Sequence, residues 1–359
     1  MMGLDLPRLA VVRLRLKPQP FDGEANAGLQ AEGTWEMRAV ICTRYGPPEV
    51  LRLEELETPT PQKNELRIRI FATAVTSSDC YVRGLNLTFA YRIMARLVLG
   101  WSAPRRNVLG MVLSGQVDAV GPNVRSFKAG DQVFGFNRHL FGTYAEYVCW
   151  PEEGLLATRP ANLTDEEAAS IPYGGLLALH FLRRANVQAG QRVLVYGASG
   201  AVGTSAVQLA KHFGAEVTGA CSTANLELVR SLGADAVIDY TKDDFANGGE
   251  RYDLIFVAVG NRVNPPSEAD CKNALAPGAA YISVDHGAPR LSTEDLVLLK
   301  QLAEEGTLRP VIDRSYPLEQ MAEAHRYVDK GHKNGNVVIT AAATDSTPLR
   351  ASIKPRAVQ

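Results

Sequence analysis

Val193-Leu194-Val195-Tyr196-Gly197-Ala198-Ser199-Gly200-Ala201-Val202-Gly203 is the stretch that decides the fold. A short apolar run, a glycine turn and then the helical pattern Thr204–Phe213 predict a buried strand, a tight turn and a helix. The glycines follow the dinucleotide fingerprint as Ala198-x-Gly200-x-x-Gly203, with Ala198 where the first glycine usually stands. Gly200 has no Cβ to keep a diphosphate off the backbone, and Gly203 lets the helix pack close to the strand. The helix start then offers free N–H groups and the positive end of its dipole. Ala198, Ser199, Gly200, Ala201, Val202 and Gly203 are therefore expected to hold a dinucleotide. A strand-to-helix turn with no ligand is the bland alternative.

Outward from this turn, strands alternate with helices. Strands are expected at Arg192–Tyr196, Glu216–Cys221, Ala236–Tyr240, Tyr252–Val257 and Ala279–Val284, with helices at Ala201–Phe213, Ala224–Leu232 and Thr293–Gly306. This alternation predicts right-handed crossovers and a doubly wound parallel sheet covered on both faces, an α/β Rossmann domain. Thr164 with Glu167 three residues on predicts a capped helix start. Upstream, Met37 to about Pro160 shows only short strands among Gly/Pro turns, including Leu66–Ala72, Val112–Val120 and Gln132–Phe136, and reads as an irregular β-rich domain.

The expected division is an extension over 1–36, a substrate domain over 37–162, the dinucleotide domain over 163–304, a return over 305–340 ending in the strand Asn336–Thr340, and a tail over 341–359. Both ends are expected to be disordered.

Preference for NAD requires an acidic residue at the end of the second Rossmann strand. That strand ends Ala220-Cys221-Ser222-Thr223-Ala224-Asn225, and Glu216 lies at its other end. With no carboxylate there to repel a 2′-phosphate, Ser222, Thr223 and Asn225 are expected to donate to one, with Arg230 further along. NADPH is thus expected over NADH, a permissive site being the alternative.

Composition excludes several classes. Among 359 residues, 46% are hydrophobic and 21% charged, with a formal net charge of −1. That balance gives no electrostatic reason for a nucleic-acid or anionic-membrane partner. Cys42, Cys80, Cys149, Cys221 and Cys271 are scattered with no CxxC pair, which favours a reducing, cytoplasmic setting over a disulfide framework.

Several motifs occur in an order that resembles the medium-chain dehydrogenase/reductase superfamily, in its zinc-free NADPH:quinone-oxidoreductase-like branch. They are Tyr45-Gly46-Pro47-Pro48-Glu49-Val50-Leu51, Asp79-Cys80-Tyr81-Val82-Arg83-Gly84, Leu109-Gly110-Met111-Val112, Gly130-Asp131-Gln132-Val133-Phe134-Gly135, Gly142-Thr143-Tyr144-Ala145-Glu146, the glycine turn, and Leu232-Gly233-Ala234-Asp235. The resemblance implies a GroES-like β-rich substrate domain beside the Rossmann domain, a homodimer paired through Rossmann sheet edges near Gly278–Asp285, and nicotinamide in the cleft between the domains. Where zinc-dependent relatives carry a Cys and a His-Glu pair, this chain has Thr76 and Met111-Val112, and no cysteine cluster follows, so no metal is expected.

The same resemblance places Tyr81, Thr76 and Tyr45 in the substrate pocket. It places Tyr240 and Asn336 on the cofactor side; Val259 and Gly260 are expected there because they follow the fourth strand at the carboxyl edge of the sheet, and Ser283 and Val284, which end the next strand, through their backbone groups. Three departures from its pattern are Thr76 for Asn, Leu177 for Thr and Asn336 for Lys. Asp79 is expected to pair with Arg83 rather than to act in catalysis.

Without a Lewis acid, an electron-poor acceptor is the better hydride partner, so quinones and α,β-unsaturated carbonyls are expected. Two other readings stay open. One is an enoyl-thioester reductase using Arg92, Arg96, Arg105 and Arg106. The other is a non-catalytic dinucleotide-binding scaffold.

Overall fold

The first strand, β1 (Glu36–Cys42), forms an antiparallel hairpin with β2 (Leu51–Glu57). The computed structural model describes residues 36–85, 89–137, 140–246, 248–260 and 265–341. The expected extension (apart from Glu36), the tail beyond Ala341, and His139 lie outside the described residues.

The substrate domain continues with β3 (Glu65–Val75), the helices α1 (Ser77–Gly84) and α2 (Phe89–Leu99), and the strands β4 (Val112–Val120), β5 (Gln132–Phe136), β6 (Tyr147–Pro151) and β7 (Leu156–Thr158). β3 is the spine of this region: it pairs antiparallel with both β4 and β6. Its alternate residues Leu66, Ile68 and Ile70 are fully buried. The basic residues between them, Arg67 and Arg69, keep partial exposure, as period-2 alternation requires. The helices α1 and α2 interrupt a domain that the sequence pattern gave as strands alone.

α3 (Asp165–Arg184) leads into the second domain, and the predicted cap is present: Thr164 Oγ1 accepts from the Glu167 N–H. Then follow β8 (Arg192–Tyr196), α4 (Ala201–His212), β9 (Glu216–Cys221), α5 (Leu226–Ser231), β10 (Ala236–Asp239), β11 (Tyr252–Val257) and β12 (Leu275–Ser283). These strands make one parallel sheet in the order β10-β9-β8-β11-β12. The chain leaves β8 first toward β9 and later returns to the other side for β11. β8 therefore stands at the reversal point, where a crevice opens beyond the carboxyl ends of the strands. The fold is α/β, with a β-rich domain beside a Rossmann domain.

The chain closes with α6 (Thr293–Glu304), β13 (Ile312–Pro317), α7 (Met321–Asp329) and β14 (Asn336–Thr340). β14 pairs antiparallel with β3, Val337 opposite Val75, so the C-terminal strand adds to the first domain's sheet. α3 bridges the two units. A Cβ on its Gly174 would stand 2.1 Å from Ala201 O, so only glycine lets α3 reach the first turn of α4. No helix among the described residues is long and apolar enough to cross a membrane.

Candidate active site

The glycine turn is built as the fingerprint requires. Gly197 adopts φ +76°, and a Cβ on Gly203 would stand 2.1 Å from Gly197 O, so Gly203 serves packing of α4 on β8. Gly200 differs. Its φ is −79°, and the nearest atom to a Cβ placed there is Gly197 O at 3.5 Å. Nothing in the folded chain forbids a side chain at Gly200, yet the position faces open space. Ala198 is fully buried under the turn.

The open space is a cleft of about 710 Å3 between the domains. Its Rossmann wall is Gly200, Ala201 and Val202 with Ala258, Val259, Gly260 and Val284 from beyond β11 and β12. Its opposite wall is α1, through Ser77, Ser78 and Tyr81. A more apolar end is lined by Met111, Phe136, Phe141, Tyr173 and Leu177. The Ser78 and Tyr173 hydroxyls lie 3.0 Å apart and join α1 to α3 across the cleft floor. The Tyr81 hydroxyl and the Asp285 carboxylate approach the same point: each is 3.7 Å or less from a Cβ placed on Gly260. A substrate-domain hydroxyl thus reaches the carboxyl edge of the Rossmann sheet.

Tyr81 is therefore in the cleft, whereas Thr76 and Tyr45 are elsewhere. Thr76 is 4% exposed and caps α1, donating its hydroxyl proton to Asp79 Oδ2 and accepting from the Asp79 N–H. Its hydroxyl is engaged at the helix end, and Thr76 is not among the residues that line the cleft. Tyr45 donates to Gly100 O at 2.9 Å and tethers the end of α2. The expected Asp79–Arg83 pair is also absent. Arg83 instead ion-pairs with Asp329 at the end of α7 and donates to Gly46 O. Asp79 is fully buried, and burial pushes its carboxyl up to about 6 against the lowering effect of the Thr76 hydrogen bonds.

At the adenosine end, Asn225 Nδ2 donates to Ser199 Oγ and Ser222 Oγ at 3.2 and 3.1 Å, so three of the predicted polar residues form one cluster. Tyr240 stacks on Tyr196, ring centroids 5.2 Å apart, and is 40% exposed. Thr223 is a correction. Its hydroxyl donates to Asp239, so a carboxylate does stand beside the end of β9. It comes from β10, whose Asp239 pairs with Cys221, and strand pairing of that kind is invisible in the β9 segment alone. Hydrogen bonds from Thr223 and Thr241 hold the Asp239 carboxyl down at about 2, and Lys242 Nζ lies 3.4 Å from it. Lys242 and Tyr240 line a shallower depression of about 440 Å3 at this end.

Ser283 is buried and its hydroxyl accepts from the Asp285 N–H, shaping the turn after β12 rather than lining the cleft. Asn336 is turned away from the cleft, donating to Val311 O at 3.1 Å. The neighbouring Gly335 makes the approach instead, its N–H donating to Ser199 O at 2.7 Å. Ser78, Tyr173, Asp285, Lys242 and Lys333 were missed as site residues. Only Ser78, one helical turn before Tyr81, carried a local signal.

A nicotinamide dinucleotide fits this arrangement: the turn is unobstructed above Gly200, and the first N–H groups of α4 face the cleft. A catalytic zinc does not fit, since the Thr76 hydroxyl is committed and Met111 offers only a thioether. Among the described residues, no three His, Cys, Asp or Glu side chains converge.

The Alcohol dehydrogenase GroES-like domain family matches residues 62–160, and the Zinc-binding dehydrogenase family matches 232–298 and 287–339. The chain is 34% identical over 324 residues to 2-methylene-furan-3-one reductase of Solanum lycopersicum, covering 85% of this chain and 79% of that one. It is 31% identical over 348 residues to the chloroplastic NADPH-dependent alkenal/one oxidoreductase of Arabidopsis thaliana, covering 91% and 86%. Among solved structures, the quinone oxidoreductase from Coxiella burnetii superposes with a TM-score of 0.73 at 28% identity, covering 86% of this chain and all of that one.

Proposed function

The chain belongs to the medium-chain dehydrogenase/reductase superfamily, and from that premise we propose that it is a reductase that uses NADPH to transfer hydride to quinones or α,β-unsaturated carbonyl compounds, without a metal. The observation that carries this reading is the single cleft in which an unobstructed diphosphate turn at Gly200 continues into an apolar chamber bearing the Tyr81 hydroxyl. When bound, the nicotinamide cofactor supplies the hydride.

The chain's own residues do the rest. Ala201 and Val202, in the first turn of α4, would present backbone N–H groups to the diphosphate, while the Gly200 N–H is given to Gly197 O at 3.1 Å and its missing Cβ leaves the approach open. Val259, Gly260 and Val284 line the Rossmann wall of the cleft and would hold the nicotinamide. Phe136, Phe141, Tyr173 and Leu177 hold a flat apolar acceptor and exclude water. The Tyr81 hydroxyl donates to the acceptor's carbonyl oxygen, where negative charge develops as hydride arrives. Such acceptors delocalise that charge themselves, so one hydroxyl donor suffices where an unactivated carbonyl would need a Lewis acid. At the adenosine end, Ser222 and Lys242 are the donors for a 2′-phosphate, and Lys242 offsets the charge of Asp239.

An oxidation screen with NADPH and NADH in parallel, across quinones, enals, enones and enoyl thioesters, tests the reading. Turnover with quinones or enones, faster with NADPH and retained after exhaustive chelation, is expected. Tight NADPH binding with no acceptor consumed would show a scaffold instead. β12 is an edge strand of the Rossmann sheet, which supports a homodimer joined through two such edges; sedimentation at varied concentration reads this.

A further inference from the structure

The loop between α7 and β14 carries a lysine whose surroundings call for an anion. Lys333 lines the interdomain cleft together with Gly200, Ala201 and Ser77. Its Nζ donates to Gly335 O at 2.5 Å. Gly335 in turn is bridged to Gly200 and donates its N–H to Ser199 O. A short chain of hydrogen bonds therefore holds the ammonium beside the glycine turn. This placement depends on the backbone of Gly335, which has φ +69° and no room for a Cβ, since one would stand 2.3 Å from Val311 O.

Lys333 is partly buried at the wall of the cleft, and among the described residues its ammonium makes no ion pair. Asp313 is the nearest influence of opposite sign, but its Oδ2 already accepts from the Tyr327 hydroxyl and from the Asn334 N–H. Gly335 O takes one of the three N–H donors of Lys333, which leaves donor capacity for a ligand in the cleft that it lines. A cation in this condition gains from an anion that enters beside it.

We propose that Lys333 is a cofactor-binding residue that engages the diphosphate of the dinucleotide at Gly200. The assignment rests on the nicotinamide-dependent reading above. The glycine turn contributes only partial charges from N–H dipoles, whereas Lys333 contributes a full charge on the facing side. Together they grip the diphosphate from both domains, because β14 belongs to the substrate-domain sheet.

Burial holds the Lys333 amine down at about 8, against the opposing influence of Asp313 and Cys80. Lys330, Asp329 and Asp285 also line the cleft. A dianion arriving beside the amine restores its proton affinity. Binding above about pH 8 is therefore accompanied by proton uptake, with the sign fixed by the raised affinity of the occupied state.

Calorimetric titration of the full chain with NADPH, at pH 7 to 9 in buffers of different ionisation enthalpy, reads this directly. Wild type is expected to take up a fraction of a proton that grows from pH 7 to 9. Lys333→Met should lose the uptake and bind NADPH and ADP-ribose about 10- to 100-fold more weakly, with 2′-AMP affinity unchanged. Lys333→Arg should bind NADPH with no uptake, its guanidinium staying charged throughout. Unchanged Kd and unchanged uptake in Lys333→Met, or an equal loss for 2′-AMP, would overturn the assignment while leaving the reductase reading intact. Failure of the wild-type chain to bind NADPH or NADH at all would overturn both. Should Lys333→Met not fold, the wild-type and Lys333→Arg uptake decide the matter alone.

Discussion

Thr76 and Asp79 lock one another at the head of α1: the Thr76 hydroxyl donates to Asp79 Oδ2 at 2.6 Å, and the Thr76 N–H donates to the same oxygen at 2.9 Å. The Asp79 N–H returns a bond to Thr76 Oγ1. This reciprocal cap sets the direction in which α1 leaves β3, and so the direction in which Tyr81, one turn on, enters the cleft.

Thr76→Ala should accordingly act on stability. A loss of about 1 kcal/mol is expected in urea denaturation, with Thr76→Ser near wild type. The KM for the acceptor should change little. A large KM effect with unchanged stability would restore Thr76 to the substrate pocket.

Asp79 carries a pH signature. Its carboxyl keeps a proton to about pH 6 in the folded chain but titrates at its ordinary 3.8 when unfolded. The folded state therefore binds the additional proton between those values. This group's contribution is fully present below 3.8 and is lost as pH rises through 6, a change of at most about 3 kcal/mol. The stability of Asp79→Asn relative to wild type should rise between pH 4 and pH 6.5 and then level off. A flat difference across that range would contradict the burial argument.

Gly200 and Gly203 separate ligand binding from folding. Gly200→Val places its side chain where only the ligand would be, so the melting temperature should hold while NADPH affinity falls by at least about 100-fold, the loss of several charge-assisted bonds. Gly203→Ala meets Gly197 O at 2.1 Å and should destabilise the chain outright. Thermal melts paired with fluorescence titration distinguish the two.

Tyr81→Phe removes the one hydroxyl assigned to the developing oxyanion. A fall in kcat of about 100- to 1000-fold, the range for a single oxyanion donor, is expected. The Kd for NADPH should stay constant. An unaltered kcat would make Tyr81 a packing residue of the cleft wall.

Lys242→Ala tests the cofactor's phosphate end. The ratio of KM for NADH to KM for NADPH should fall about 10-fold or more, as one charge-assisted contact is lost and Asp239 becomes unbalanced. An unchanged ratio would leave Ser222 and the Asn225 cluster as the source of any preference.

The sequence alone determined the strand-turn-helix at Val193–Phe213, the parallel sheet around it, the alternation along β3 and the cap at Thr164. Each follows from contacts among residues a few positions apart, where periodicity and missing Cβ atoms leave a local trace. Only the tertiary structure decided that Asp239 neighbours Thr223, that Asn336 faces Val311, and that Lys333 lines the same cleft as Gly200. Asp239 and Thr223 are neighbours because β10 pairs with β9, and the loop carrying Lys333 and Gly335 comes to Gly200 because β14 joins β3 after the chain has traversed the second domain. Such pairings are set by how whole sheets bury their faces, and no window of sequence encodes which side chain will be carried opposite which.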